Sequence, residues 1–77
     1  MVAKDYYVSQ LVPSERGRFF VEYHKPGHDN IEVEVIMWAL IDGDVMPMVM
    51  ATMEMVPAWS RMASRHYGSF QKIVDKR

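Results

Sequence analysis

The chain has 77 residues, of which 49% are hydrophobic and 25% are charged. This composition is typical of a globular domain and excludes a disordered chain. The formal net charge of −1 excludes both a strongly cationic nucleic-acid binder and a polyanionic DNA mimic. Because the sequence contains no cysteine, disulfides and thiolate metal sites are also excluded. A core this small supplies only about 3–5 kcal/mol, which favours a partner chain or unusually good packing.

No segment has the pattern of a targeting or membrane-spanning sequence. Residues 1–5 lack the apolar run of a signal peptide. The longest apolar run, from Val35 to Ile41, is far shorter than the about 20 residues that cross a bilayer. We therefore expect a cytoplasmic protein with no membrane contact, folded as a single domain over residues 1–77.

Turn sequences divide the chain into strands and one helix. Proline, glycine, asparagine and aspartate mark turns at 13–17, 25–30 and 42–44. The intervening segments are rich in β-branched and aromatic residues, which predicts strands near 5–12, 18–24, 31–41 and 45–55. Apolar residues then recur at three- and four-residue spacing, which predicts a helix near 57–75. The predicted fold is α+β: a small antiparallel β-meander of three to four strands with one C-terminal amphipathic helix packed on one face.

Two residues of the predicted helix are unusual. His66 lies in the apolar stripe, where we interpret it as a neutral, hydrogen-bonded core residue, with a pH-sensitive role as the alternative. Gly68 lies opposite that stripe, where glycine costs about 1 kcal/mol of helix stability relative to alanine. The periodicity offers no reason for a glycine there.

The connection between the third and fourth strands determines their register. We predict a three-residue loop, Asp42-Gly43-Asp44, which places Ile41 opposite Val45. A two-residue loop would shift the pairing by one residue and put Glu54 among the core valines. In the preferred register the odd positions form one apolar face, which the helix covers.

The even positions then form a reverse face with more apolar surface than one helix can cover. Monomers rarely expose a patch of several hundred Å² that binds nothing. Trp38 at its centre is typical of an interface hot spot. The predicted protein interface consists of Phe20, Ile36, Trp38, Leu40, Met46, Met48 and Met50, with Glu32, Glu34 and Glu54 as an acidic rim.

Three interpretations of this reverse face remain open: cover by the N-terminal segment, a homodimer, or a different protein partner. The residues available for internal cover are Tyr6, Tyr7, Val8, Leu11 and Val12. The leading hypothesis is a small non-catalytic protein-interaction or regulatory protein that binds a partner or itself through this face. Chains of this size often act as accessory proteins or inhibitors, including phage-encoded ones, although that analogy rests on size alone.

A basic flank on the predicted helix supports an alternative function. Arg61, Arg65, Lys72 and Lys76 fall within an arc of about 60° at helical spacing. Such a stripe is typical of a nucleic-acid-binding module that tracks phosphates, and equally of a solvated helix face.

We expect no enzyme, no cofactor, no metal and no small-molecule substrate. The sequence has no Gly-rich phosphate loop and no nucleophile-elbow serine. A domain of this size also has little room for a catalytic pocket. His24, His28 and Asp29 surround one turn, but their spacing matches no closed metal site.

Overall fold

The computed structural model describes residues 2–3 and 6–77 and consists mostly of antiparallel β-structure with one short helix. The α+β class and the antiparallel pairing are confirmed. Among the described residues, no helix has the length and hydropathy needed to cross a bilayer. In chain order the elements are β1 (Val2–Ala3), β2 (Tyr6–Pro13), β3 (Phe19–His24), β4 (Ile31–Glu34), β5 (Met37–Ile41), β6 (Asp44–Ala51), β7 (Glu54–Pro57), α1 (Arg61–Tyr67) and β8 (Ser69–Asp75).

The strands form two sheets rather than one meander. The large sheet has the order β1-β2-β5-β6-β7, and the small sheet has the order β4-β3-β8. The first predicted strand corresponds to β2, and its residue Asp5 lies outside the described residues. The second corresponds to β3, which becomes the centre of the small sheet because β8 pairs with its other edge.

The predicted third strand, 31–41, divides into β4 and β5 because the chain passes from one sheet to the other. The backbone N–H of Val35 donates to the carbonyl of Phe19 in the small sheet at 2.8 Å. The next N–H, of Ile36, donates to the carbonyl of Met48 in the large sheet at 3.0 Å. The segment 31–41 therefore contributes a strand to each sheet. For this reason its even-numbered side chains do not lie on one sheet face along the whole segment, and neither do its odd-numbered side chains.

The predicted three-residue hairpin loop is wrong. Ile41 pairs with Asp44, so the turn contains only Asp42 and Gly43. Their φ angles of 48° and 88° are both positive, as the tight hairpin turn that matches strand twist requires. The expected conflict at Glu54 does not arise, because the predicted fourth strand, 45–55, turns back at residues 52–53. Glu54 begins β7 and is exposed.

The predicted helix over 57–75 is also wrong, because α1 contains only seven residues. It begins after Ser60, whose Oγ accepts a hydrogen bond from Ala63 N at 3.2 Å. It ends at Gly68, whose φ of 108° and ψ of −157° are open essentially to glycine alone. A Cβ at this position would overlap the carbonyl oxygen of His24. Gly68 is therefore explained by the end of the helix and the close passage of β3.

Two apolar cores result from this arrangement. The first lies between the sheets and under α1; its buried members are Val21, Tyr23, Val35, Val49, Ala51, Val56, Ala58 and Ala63. The second lies on the opposite face of the large sheet and is formed by buried Val8, Ala39, Ile41 and Met48. Both faces of β6 are therefore buried along part of its length.

Candidate functional site

The structure distributes the predicted reverse face over three places instead of assembling it. Phe20, Glu32 and Glu34 lie in the small sheet, where Phe20 pairs with Glu34. Lys76 covers this part: its Nζ lies 5.7 Å from the centroid of the Phe20 ring and 2.7 Å from Oε1 of Glu32. The Lys76 ammonium thus lies over the aromatic ring, and Glu32 is engaged in an ion pair.

The predicted methionines lie on the second-core face of the large sheet. Met48 is only 1% exposed, so its side chain is not accessible to a partner. Met46 is partly buried and packs against the second core, whereas Met50 is exposed. The remaining predicted residues lie elsewhere: Ile36 is partly buried where the chain changes sheets, and Glu54 is exposed beside the turn before β7.

Trp38 and Leu40 lie on the other face of the large sheet, beside an open depression. In the observed register Val12 is opposite Trp38, Gln10 is opposite Leu40, and Leu40 is opposite Val45. Their side chains therefore share one face of three neighbouring strands. They line a shallow cavity of about 120 Å³, which we call the Trp38 groove; its residues are Gln10, Val12, Trp38, Ala39, Leu40 and Val45.

The Trp38 groove is open because the first core covers only part of this sheet face. Trp38 packs edge-on against Phe19, with ring centroids 5.3 Å apart and planes at 83°. This contact anchors one side of the indole in the first core. Beyond it, Val12 is 47% exposed and Val45 is 67% exposed. The groove thus has an aromatic wall that packs against the first core and two accessible aliphatic walls.

The N-terminal segment does not lie across this face over residues 6–12. These residues belong to β2, which pairs beside β5 within the sheet, with Val8 opposite Ile41 and Leu11 opposite Ala39. Val12 contributes to the wall of the Trp38 groove instead of covering it. The predicted cover by the Tyr6 side chain lies outside the described part of the chain, as does any cover by residues 1 and 4–5.

The predicted basic stripe divides because residues 69–75 form a strand. Arg61 and Arg65 lie one turn apart on α1 and are exposed. Neither makes an ion pair within residues 2–3 and 6–77. Lys72 lies on β8 opposite Glu22, and Lys76 is paired with Glu32.

His66 is exposed rather than buried in a core. Its ring contacts Tyr67 edge-on at 4.6 Å between centroids. The predicted core role is therefore wrong. The apolar residues assigned to one long helical stripe are divided between the two-turn helix α1 and the strand β8, so His66 does not lie within a continuous apolar helix face.

Charge is strongly segregated along the chain. Residues 1–54 contain four basic and nine acidic side chains, a net charge of −5. Residues 55–77 contain five basic and one acidic side chain, a net charge of +4. The near-neutral total therefore conceals an acidic part that includes the Trp38 groove and a basic part that includes α1.

In the part of the chain that the structure describes, no three His, Asp or Glu side chains lie close enough to hold a metal ion. Nδ1 of His24 instead lies at hydrogen-bond distance, 2.7 Å, from Oδ1 of Asn30. The Trp38 groove is also smaller than the about 300–1,000 Å³ that encloses a drug-sized ligand. Its size suits one apolar side chain of a protein.

Val12 and Val45 were missing from the predicted interface, although a signal for them was present. Asp-Gly between apolar runs is among the strongest hairpin signals, and it specifies a two-residue turn. That turn places Val45 opposite Leu40, on the sheet face that Trp38 and Val12 also share.

Comparisons with protein-family models, with curated proteins and with solved structures found no match for this chain.

Proposed function

We propose that this chain is a small non-catalytic interaction protein, of the regulatory or accessory type, that binds a protein partner through the Trp38 groove. The observation that supports this proposal is the accessible pair Val12 and Val45 on either side of a partly buried tryptophan. A cytoplasmic location is part of the proposal, on the sequence grounds given above.

The energetics of the groove favour a protein ligand. Complete burial of a valine side chain contributes about 1.5–3 kcal/mol. Since Val12 is 47% and Val45 is 67% exposed, covering both would contribute about 2–3 kcal/mol. Single exposed apolar residues are ordinary on protein surfaces. Here they flank an indole in a concave site, which is the arrangement of an interface anchor pocket.

The acidic residues of this site differ from those that the sequence predicted. Glu32, Glu34 and Glu54 do not line the Trp38 groove. Asp42 lies in the turn of this hairpin, one pair beyond Leu40 and Val45, whereas Asp44 pairs with Ile41 and lies on the face of the second core. We propose that Asp42 takes the place of the predicted acidic rim and favours a partner with a basic residue beside its apolar anchor.

The test replaces Val12 and Val45 rather than Trp38, because Trp38 also packs against Phe19 and the first core. Val12→Glu with Val45→Glu adds two charges to the groove without opening a core. The matched control is Met53→Glu, at a residue that is 94% exposed in the β6–β7 turn. Each variant is used as bait in a cell extract of the organism that encodes the chain, after its fold is verified by circular dichroism.

We expect a protein that is retained by the wild type and by Met53→Glu, and lost with the groove variant. Because two charges would be buried against an apolar anchor, retention should fall at least about tenfold. A partner that binds all three proteins equally would show that the Trp38 groove is not the interaction surface.

A second candidate function is nucleic-acid binding through α1. It is favoured by Arg61 and Arg65, which are exposed and available for phosphates, and by the net +4 charge of residues 55–77. Fluorescence anisotropy with single-stranded and duplex DNA at about 50 mM salt measures it. Arg61→Ala with Arg65→Ala should reduce the salt slope by about 2. Absence of binding by the wild type would eliminate this function.

A further inference from the structure

The outer edge of the small sheet is a free strand edge. The small sheet has the order β4-β3-β8, so β8 pairs with β3 on one side and with no described strand on the other. At seven residues β8 is longer than the strands at the three other sheet edges, which have two to four residues. It contains neither proline nor glycine. An edge of this kind is a template for a further strand, because its outer backbone groups have no partner in the sheet.

One hydrogen bond shows which backbone groups of β8 reach this free edge. The N–H of Lys76 donates to the carbonyl of Arg18 in front of β3 at 2.8 Å, and pairing with β3 is regular from Lys72 to Asp75. Because backbone directions alternate along a regular antiparallel strand, the even-numbered residues of this part point towards β3 and the odd-numbered residues point away. The N–H and C=O groups of Ile73 and Asp75 therefore lie at the free edge.

The apolar face of this edge continues the first core. Ile73 is opposite Val21, whose side chain is buried in the first core, and Phe70 packs edge-on against Tyr23 with ring centroids 6.4 Å apart. Ile73 is 42% exposed and Phe70 is 38% exposed. An apolar surface thus extends from the first core to the free edge, where a further strand would cover it.

The opposite face of this edge is basic. Lys72 is exposed and makes no ion pair with other described residues, although Glu22 is opposite it in β3. The one acidic side chain of β8, Asp75, is already engaged, because Arg18 donates to both of its carboxylate oxygens at 3.2 and 3.3 Å. Lys72 is therefore the charge that β8 offers to an incoming strand.

Lys72 and Lys76 disfavour a second copy of β8 as that strand. In a two-fold antiparallel pair, residues on the same face lie opposite each other, so even-numbered residues meet even-numbered ones. The registers centred on residues 72 and 74 place Lys72 opposite Lys72 and opposite Lys76. The register centred on residue 73 places it opposite Val74, with those two lysines as diagonal neighbours. Each register brings like charges together, which protects the edge from pairing with itself.

We infer that the free edge of β8 binds an extended acidic segment of another protein, which adds to the small sheet as an antiparallel fourth strand. The residue opposite Ile73 exchanges backbone hydrogen bonds with it and shares its sheet face, so an apolar side chain is favoured there. The neighbouring residues of the segment lie on the face of Lys72, where acidic side chains are favoured. The ligand is therefore a segment in which acidic and apolar residues alternate. This surface is separate from the Trp38 groove and does not rest on the proposed function.

The probe for this site is a short synthetic peptide in which glutamate and valine alternate. In the inferred pairing its valine N–H groups point to β8, and its glutamate N–H groups point to solvent. A second peptide carries N-methylvaline, which removes the edge hydrogen bonds, and its matched control carries N-methylglutamate at as many positions. A fourth peptide has lysine in place of glutamate. Isothermal titration calorimetry measures binding up to about 1 mM peptide.

Substitutions in β8 test the same contact from the other side. Ile73→Pro removes an N–H that points away from β3, at a position where an edge strand tolerates proline, and it sets the proline ring against the incoming strand. Ile73→Val keeps the N–H and the apolar side chain and is the matched control. Lys72→Glu reverses the charge of the basic face. A thermal melt verifies each fold, and amide hydrogen exchange at Ile73 and Asp75 is followed by NMR.

The wild type should bind the Glu-Val peptide, and Ile73→Val should bind it within about threefold of the wild type. N-methylvaline and Ile73→Pro should each weaken binding at least about tenfold, because edge hydrogen bonds are lost, whereas N-methylglutamate should not. Lys72→Glu should reverse the preference between the glutamate and lysine peptides. Bound peptide should slow amide exchange at Ile73 and Asp75.

Absence of binding by the wild type at about 1 mM Glu-Val peptide overturns the inference. Equal affinities for the N-methylvaline and N-methylglutamate peptides overturn strand addition, and this comparison decides even if Ile73→Pro does not fold. Equal affinities for the glutamate and lysine peptides overturn the acidic ligand. Self-association that slows exchange at Ile73 and Asp75 without peptide identifies a second copy as the occupant and overturns it too. Single-stranded DNA that displaces the peptide, with unchanged exchange at both amides, assigns the basic surface to nucleic acid instead.

Discussion

Replacing Gly68 by alanine distinguishes the observed ending of α1 from a long C-terminal helix, because the two predict opposite signs. In a continuous helix over 57–75, alanine would stabilise the protein by about 1 kcal/mol. In the observed structure residue 68 has φ 108° and ψ −157°, a region that costs a non-glycine residue about 1–3 kcal/mol. The substitution should therefore destabilise the fold.

The close approach of β3 adds to this cost. The alanine Cβ would overlap the carbonyl oxygen of His24 and lie 2.7 Å from its carbonyl carbon. Both atoms belong to the backbone of β3, so relief requires moving a strand; overpacking of this kind costs about 1–3 kcal/mol. The total of about 2–6 kcal/mol is a large part of the about 4–12 kcal/mol expected for a domain of this length.

Urea unfolding followed by circular dichroism measures this difference. A loss of about 2 kcal/mol corresponds to a fall in Tm of at least about 8 °C. Gly27→Ala is the matched control, because Gly27 has a similar positive φ of 82° but no described atom within 4 Å of the position that its methyl group would take. The control should lose only about 1–2 kcal/mol. A Gly68→Ala variant as stable as the wild type, or more stable, would refute the observed strand at 69–75.

Three further predictions concern the cores and the chain ends. Burial raises the pKa of the Tyr23 phenol above its ordinary value. Its contribution to stability is therefore complete below about pH 10 and is lost as the pH rises through the folded-state pKa. Tyr23→Phe should flatten the alkaline limb of the profile of stability against pH. Met48→Ala should cost about 2–5 kcal/mol, whereas Met50→Ala should cost under about 1 kcal/mol, because Met48 is 1% and Met50 is 41% exposed; equal costs in denaturant titrations would contradict the second core. The hydrogen bond from Arg18 lowers the pKa of Asp75. The stability difference between wild type and Asp75→Asn should therefore be present above about pH 4 and vanish as the pH falls through the lowered pKa. A difference that persists at acid pH would exclude this ion pair as its source.

Local patterns in the sequence predicted most strands but not their grouping into sheets. The turn at Gly43 and the strand that became β3 follow from composition and alternation. The change of sheet after Val35 does not, because the odd positions stay apolar from Ile31 to Ile41 without a turn residue between them. Alternation indicates which residues share a face only while one sheet continues.

The C-terminal segment shows a second limit of periodicity. Apolar residues at three- and four-residue spacing fit a helix, but Phe70, Ile73 and Val74 are also residues that favour strands. β8 has a bulge between Phe70, which is opposite Tyr23, and Lys72, which is opposite Glu22. Because of this extra residue, Phe70 and Ile73 pair with Tyr23 and Val21 in one strand although they are three residues apart. Gly68 marks the end of the helix. The need for glycine there comes from the close approach of the His24 carbonyl, which the sequence alone does not show.

The candidate site was predicted only at its centre. Trp38 and Leu40 belong to both the predicted interface and the Trp38 groove. Met48 does not, because a second core on the reverse face buries it. An interpretation that assumes one core treats every other apolar face as exposed to solvent. The described residues form two cores, so this assumption fails at Met48.

The most direct test of the account is the fluorescence of Trp38 during titration with the purified partner, in a Trp59→Phe background that leaves one indole. If the partner occupies the Trp38 groove, the emission should shift to the blue and acrylamide quenching should fall in proportion to the bound fraction. Saturated binding with unchanged emission and unchanged quenching would show that the partner binds elsewhere, and would contradict the assignment of this groove as the interaction site.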